Sequence, residues 1–227
     1  MASISEKAQL MPASAIRKLV PFADAAKKQG VKVYHLNLGQ PDIKSPACAL
    51  DAVRNFSQEN VSYSHSAGLM ELRKGLVEKY YKKIGIDLTV DELIVTVAGS
   101  ESVNLALEIA CNPGDEVIVL EPFYTNYNTF AFMNGLTLKA IPTDIRNGFQ
   151  IPPIEEFEKA ITEKTKAILV CNPGNPTGTQ YSKESMLALG EIARRHDLFL
   201  LSDEVYREFC YTDEPHFSAM NIPGLEQ

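Results

Sequence analysis

The sequence predicts an α/β fold built in three layers, in which a mostly parallel sheet carries helices on both of its faces. Apolar runs of strand length alternate with amphipathic runs of helical length over most of the chain. In the clearest unit, strands at residues 167–171 and 199–201 flank a helix at 183–196. Strands joined through a helix run parallel, so both strands of this unit are expected to end at the same edge of the sheet.

The amino-terminal part of the chain is predicted to be mainly helical. Ser14 and the Ser45-Pro46 pair are favourable helix starts, because a serine oxygen can accept a free backbone N–H and proline fits the first turn. Gly30 and Gly85 are favourable helix ends. The expected elements are helices at 14–28, 46–56 and 69–84, with a short strand at 33–38.

Strands and helices alternate regularly from Thr89 onward. Thr89 and Glu92 have the spacing of a capping box, and turn-forming residues separate the later elements. Phe123 and Tyr127 are expected in the core. The expected strands lie at 93–97, 116–120 and 137–141, and the expected helices at 100–110, at 124–134 and from 153.

Length, charge and cysteine content exclude several classes of protein. A chain of 227 residues with 45% hydrophobic content can bury the core of one large domain. Its net charge of −7 argues against nucleic acid and anionic membranes as partners. The four cysteines lie far apart without a Cys-x-x-Cys pair, which predicts reduced thiols and no metal site. No apolar stretch has the length of a signal peptide or a membrane span, which predicts a cytoplasmic location.

Polar side chains follow the two strands of the clearest unit, at the point where each strand ends. The first strand leads into Asn-Pro-Gly-Asn-Pro-Thr-Gly at residues 172–178, and the second into Asp-Glu-Val-Tyr at 203–206. Ligands of open α/β sheets bind at the carboxyl ends of the strands, so Asn175, Asp203 and Tyr206 are expected to share one pocket. Every residue of the first segment also favours turns, so an ordinary surface turn is the alternative.

These two motifs, in this order, resemble those of the class I/II pyridoxal-phosphate-dependent aminotransferases of fold type I. The resemblance implies that pyridoxal 5'-phosphate is the cofactor, and that an amino group moves between an amino acid of aspartate or aromatic type and a 2-oxo acid. It makes Asp203 and Tyr206 catalytic. Asp203 would favour the protonated pyridine nitrogen by its opposite charge. Asn175 and Tyr206 would hydrogen-bond the phenolate oxygen of the cofactor.

The Gly99-Ser100-Glu101 segment joins a predicted strand to a predicted helix. Free N–H groups and the helix dipole favour an anion at such a helix start, and an ordinary helix cap is the alternative. The resemblance assigns the phosphate group of the cofactor to these three residues. It also places Tyr124 against the pyridine ring, where a planar aromatic side chain can stack.

The resemblance alone assigns two further residues. Gly39 lies in a turn where a residue without Cβ lets the backbone approach the substrate carboxylate, and Asn175 would contact the substrate as well. Tyr63 would cross to a partner subunit and bind its cofactor phosphate, which implies a homodimer. A plain turn and a packing tyrosine are the alternatives for these two positions.

The family's Schiff-base lysine follows the Asp-Glu-x-Tyr motif in a Ser-x-Ser-Lys context, and no lysine follows Lys183 in this sequence. The resemblance therefore implies an amino-terminal fragment that is inactive as given. Residues 1–45 would form an arm and part of a small domain, and residues 46–227 the large cofactor-binding domain without its lysine. Two alternatives stay open: a related lyase or synthase on the same fold, and a non-catalytic ligand-binding relative.

Overall fold

The computed structural model describes residues 2–12, 14 and 16–225. Its sheet consists of four parallel strands in the order β2-β1-β3-β4, so β1 and β3 are central. Cys171 pairs with Asp203, so β3 and β4 end side by side. The strands are β1 Glu116–Glu121, β2 Thr137–Pro142, β3 Thr165–Cys171 and β4 Phe199–Asp203.

Helices precede and separate these strands along the chain. The helix that begins at Met70 continues as a π-helical segment, Leu76–Tyr80, and a 3-10 segment, Tyr81–Ile84. Further 3-10 turns lie at Arg17–Leu19, Val90–Glu92, Ile145–Asn147 and Ala219–Asn221. The α-helices are α1 Glu6–Leu10, α2 Val20–Lys28, α3 Ala47–Arg54, α4 Met70–Gly75, α5 Gly99–Ala110, α6 Asn126–Asn134, α7 Ile154–Ala160 and α8 Lys183–Arg195.

Both faces of the sheet are covered, which confirms the predicted layers. Successive side chains of a strand point to opposite faces, so alternate residues of β1 and β3 enter two separate cores. One core joins Ile118 and Ile168 to apolar residues of α7 and α8, namely Phe157, Met186, Leu189 and Ile192. The other joins Val119 and Leu169 to residues of α5 and α6, namely Leu107, Tyr127 and Ala131.

Two of the predicted strands are wrong. Residues 33–38 and 93–97 are not strands in the structure, and Leu36, Ile94 and Val97 are largely exposed. A strand requires a neighbour that supplies backbone hydrogen bonds along its length. Among the described residues, 93–97 receive only isolated contacts, such as the bond from the Val95 N–H to the Ala67 carbonyl at 3.0 Å. The apolar pattern therefore favours a strand at 93–97, but no segment among the described residues pairs with it along its length.

We expect the backbone amides of residues 93–97 to exchange with solvent much faster than those of 168–170. The latter lie in β3 between two paired strands, whereas the former lack a ladder. Hydrogen–deuterium exchange followed by mass spectrometry measures both segments in one sample. Equal protection of the two segments would contradict the structure at 93–97.

The cysteines occupy different environments. Cys111 and Cys171 are buried, Cys210 is half-buried and Cys48 is exposed, all as free thiols. Burial, and then the charge of Asp203, raise the pKa of Cys171 from 9.0 to about 11. Because the native state then holds this proton more tightly than the unfolded chain, the stabilisation is complete below pH 9 and is lost as the pH rises through 11.

We therefore expect the Cys171→Ala variant to lose less stability than the parent between pH 8 and 11. The rise of the Cys171 pKa from 9.0 to about 11 corresponds to about 2–3 kcal/mol of unfolding free energy for this thiol. Urea denaturation at the two pH values measures the difference, and Cys48→Ala, which removes an exposed thiol, is the matched control. The same pH dependence in all three proteins would contradict the expectation.

Candidate active site

The carboxyl ends of β3 and β4 bring the predicted residues together. The Asn172 N–H donates to the Asp203 carbonyl oxygen at 2.9 Å, which extends the pairing of the two strands by one residue. Beyond this point the two loops face each other, and the Asn175 amide Nδ2 donates to the Tyr206 hydroxyl oxygen at 3.4 Å. Asn175, Asp203 and Tyr206 therefore lie at one edge of the sheet, as their positions in the sequence predicted.

The loop at residues 172–181 is held by its own polar groups. The buried Asn172 side chain accepts the Tyr181 N–H at its Oδ1 atom, at 2.9 Å. Its backbone oxygen lies 3.0 Å from Nε2 of His216. Within the loop the Gly174 N–H donates to the Thr179 carbonyl at 2.8 Å. The sequence pattern singled out Asn175 and missed Asn172, whose place between a strand and a proline was the available signal.

Asp203 is half-buried and has a hydrogen bond at each carboxylate oxygen. Oδ2 accepts the Tyr127 hydroxyl at 2.8 Å, and Oδ1 accepts the Val205 N–H at 3.2 Å. Tyr127 lies in the core as expected, but its hydroxyl group reaches the candidate site, which sequence reasoning missed. Burial raises the pKa of Tyr127 far above its usual range, and Cys171 and Asp203 raise it further.

Tyr124 follows β1 and reaches the same edge of the sheet. Its ring contacts the Tyr127 ring edge-on, with centroids 5.5 Å apart and planes at 87°. Its hydroxyl accepts a hydrogen bond from Nδ2 of Asn126 at 2.7 Å. Two contacts therefore fix the orientation of the half-buried ring beside the hydroxyl that binds Asp203.

The start of α5 presents unpaired donors beside this site. Within the described part of the chain, the N–H groups of Gly99 and Ser100 have no hydrogen-bond acceptor, and Ser100 is exposed. A Cβ atom added to Gly99 would lie 3.9 Å from Val205, so the helix start is close to the Asp203 loop. The Glu101 N–H differs from the expectation, because it already donates to the Ala98 carbonyl at 3.2 Å. Its carboxylate turns back to accept the Val97 N–H.

Glu204 anchors the loop behind Asp203, and the sequence pattern did not predict this role. Its Oε1 atom accepts the Ser202 and Ser218 hydroxyl groups at 3.0 Å and the Ala219 N–H at 2.8 Å. Its Oε2 atom forms an ion pair with Arg207 that is almost completely buried. These contacts tie residues 203–207 to the segment near residue 219.

Gly39 and Tyr63 are not brought to this site by the described residues. Both lie in irregular, exposed segments, and no atom lies within 4 Å of a Cβ added to Gly39. Their assigned roles therefore stay predictions. Among the described residues, no helix is long and apolar enough to cross a bilayer, and no group of side chains is arranged to hold a metal ion.

Known proteins resemble this chain over most of its length. The chain is 37% identical over 223 residues to the aspartate/prephenate aminotransferase of Thermus thermophilus, covering 98% of this chain and 57% of that one. It is 33% identical over 212 residues to the aspartate aminotransferase of Thermotoga maritima, covering 93% of this chain and 56% of that one. The chain thus spans little more than half the length of these relatives.

Solved structures share the fold. A single mutant of the Thermus thermophilus aspartate aminotransferase superposes with a TM-score of 0.89 at 37% identity, covering 96% of this chain and 57% of that one. The alanine aminotransferase of Pyrococcus furiosus gives 0.86 at 33% identity, covering 96% and 56%. The family model described as aminotransferase class I and II matches residues 31–227. The chain therefore belongs to the aminotransferase class I and II family.

Proposed function

We propose that the whole protein is a pyridoxal-phosphate-dependent aminotransferase that moves an amino group between an amino acid of aspartate or aromatic type and a 2-oxo acid. The observation that carries the proposal is the convergence of Asn175, Asp203 and Tyr206 at one edge of the sheet, beside the unpaired amides of α5. Relatives named as aspartate and aspartate/prephenate aminotransferases support this substrate class.

The chemistry of the donors and acceptors fits pyridoxal phosphate. The N–H groups of Gly99 and Ser100, with the Ser100 hydroxyl, suit the phosphate group at the positive end of a helix dipole. The Asp203 carboxylate suits a protonated ring nitrogen, and the Asn175 amide and Tyr206 hydroxyl can both donate to the phenolate oxygen. Tyr124 supplies an aromatic face for the ring.

When bound, the cofactor supplies an electron sink for the electron pair that remains when the substrate Cα loses its proton. Asp203 holds a proton at the ring nitrogen, because its negative charge favours the charged form of that nitrogen. Asn175 and Tyr206 orient the ring through its phenolate oxygen. Tyr124 would pack against the ring and exclude water from it, and the Gly39 backbone would receive the substrate carboxylate if the whole protein brings its segment to the site.

Tyr63 is fully exposed, as a residue that binds the phosphate of a partner subunit in a homodimer would be.

The 227 residues contain no lysine after Lys183, so we expect them alone to bind the cofactor without covalent attachment and without turnover. Borohydride reduction followed by mass spectrometry tests this, and one stoichiometrically modified lysine together with transamination would contradict it.

Cofactor binding is the direct test of the site. We expect the chain to bind pyridoxal phosphate more tightly than pyridoxal, and Ser100→Ala to weaken only the phosphate form, by about five- to tenfold. Absorbance titration measures both ligands. Equal affinities for the two ligands would contradict the phosphate assignment.

On the whole protein, transfer from aspartate to 2-oxoglutarate tests the reaction, and release of ammonia instead would indicate a lyase.

A further inference from the structure

The Tyr127 hydroxyl group lies behind the candidate site and belongs to none of the roles assigned above. We propose that Tyr127 is a positioning residue, which fixes the Asp203 carboxylate in the orientation that a cofactor ring nitrogen needs. The proposal rests on the proposed function, because it gives Tyr127 a role through the partner of Asp203. The contact itself is on the protein: the hydroxyl donates to Oδ2 of Asp203 at 2.8 Å.

The Tyr127 ring is held rigidly. It is 1% exposed and packs between β1, β3 and α5 in the core. Phe123 stacks on it with centroids 6.2 Å apart, and Tyr124 meets it edge-on at 5.5 Å. The confined ring holds the hydroxyl oxygen in place, so the position of the Asp203 oxygen is set by the core rather than by solvent.

Tyr127 is also a donor at every working pH. Burial, followed by the nearby Cys171 and Asp203, raises its pKa far above the usual range, so its proton stays on the hydroxyl. The Cys171 thiol has a pKa of about 11, raised by burial and then by Asp203, and its Sγ donates to the Pro173 carbonyl at 3.2 Å. The Tyr127 hydroxyl is therefore the donor in its contact with Oδ2 of Asp203.

The geometry leaves room for a further donor at Asp203. Each carboxylate oxygen can accept about two hydrogen bonds. Here Oδ2 accepts only the Tyr127 hydroxyl and Oδ1 only the Val205 N–H, as far as the described residues show. One contact on each oxygen fixes the orientation of the carboxylate. Each oxygen can still accept a further hydrogen bond, such as one from a protonated ring nitrogen.

The first test compares two ligands that differ at the ring nitrogen. Tyr127→Phe should weaken pyridoxal phosphate by about five- to tenfold. It should leave unchanged the affinity for the 1-deaza analogue, in which carbon replaces that nitrogen. Tyr181→Phe is the matched control, since it removes another buried phenol hydroxyl that does not contact Asp203. An equal loss for both ligands would mean that Tyr127 only packs, and would overturn the proposal.

The second test needs no ligand. A buried hydroxyl proton bonded to a carboxylate exchanges slowly and gives a downfield proton NMR signal, which its loss in Tyr127→Phe would assign. In Asp203→Asn this signal should move upfield, because a neutral amide oxygen is a weaker acceptor than a carboxylate. If the signal is absent, or does not move, the Tyr127 hydroxyl does not donate to the Asp203 carboxylate, and the proposal is overturned. If the whole protein with its native Tyr127 binds neither ligand, the proposed function fails and this measurement still decides the role of Tyr127 toward Asp203.

Discussion

Asp203→Asn should lower transamination by the whole protein at least about a thousandfold, while measurable binding of pyridoxal phosphate remains. Asparagine has nearly the shape of aspartate but no charge, so it cannot favour the protonated ring nitrogen. The phosphate contacts at Gly99 and Ser100 are untouched by the change. Loss of one charge-assisted hydrogen bond should weaken cofactor binding by about 1.5–3 kcal/mol. Steady-state kinetics and absorbance titration measure the two effects separately.

The matched control for this experiment is Asp144→Asn. Asp144 caps the 3-10 turn Ile145–Asn147 and pairs with Arg146 at the surface, so the same change of charge occurs outside the candidate site. We expect its turnover and its cofactor affinity to equal those of the parent. Near-normal turnover in Asp203→Asn would remove Asp203 from the proposed role, whatever the control shows.

Glu204→Ala should destabilise the fold by about 3–5 kcal/mol, because it leaves Arg207 buried without its charged partner. The side chains of this ion pair are only 10% and 12% exposed, and the carboxylate also accepts three hydrogen bonds. The Arg207 guanidinium lies over the rings of Tyr80 and Tyr81, at 5.9 and 5.7 Å, so it cannot move freely into water. Denaturation by urea measures the change in unfolding free energy.

The chain offers a control pair with the same sequence spacing. Glu191 and Arg194 also form an ion pair three residues apart, but their side chains are 54% and 47% exposed. Glu191→Ala should therefore cost at most about 0.5 kcal/mol, as exposed pairs do. Equal effects of the two substitutions would show that burial does not set the strength of the Glu204–Arg207 pair. A double-mutant cycle with Arg207→Ala isolates the coupling energy.

The unit from β3 through α8 to β4 follows from local features of the sequence. Its apolar runs, the serine that caps α8 and the two polar motifs are local features, and each favours one conformation over a short stretch. Parallel strands then had to bring Asn175, Asp203 and Tyr206 to one edge, because connection through a helix fixes which ends meet. The resemblance to the class I/II aminotransferases then added the expected cofactor and the expected reaction to this predicted site.

The pairing of polar groups across the site depends on how distant elements pack together. Tyr127 and Asp203 are 76 residues apart, and Tyr127 has the pattern of an ordinary core aromatic. The contact exists because α6 packs on the face of the sheet toward which the Asp203 side chain points at the end of β4. Residues 93–97 show the converse: their pattern favours a strand, but a strand forms only where another chain segment supplies hydrogen bonds. Local patterns set the elements, whereas pairing depends on neighbours that are distant in sequence.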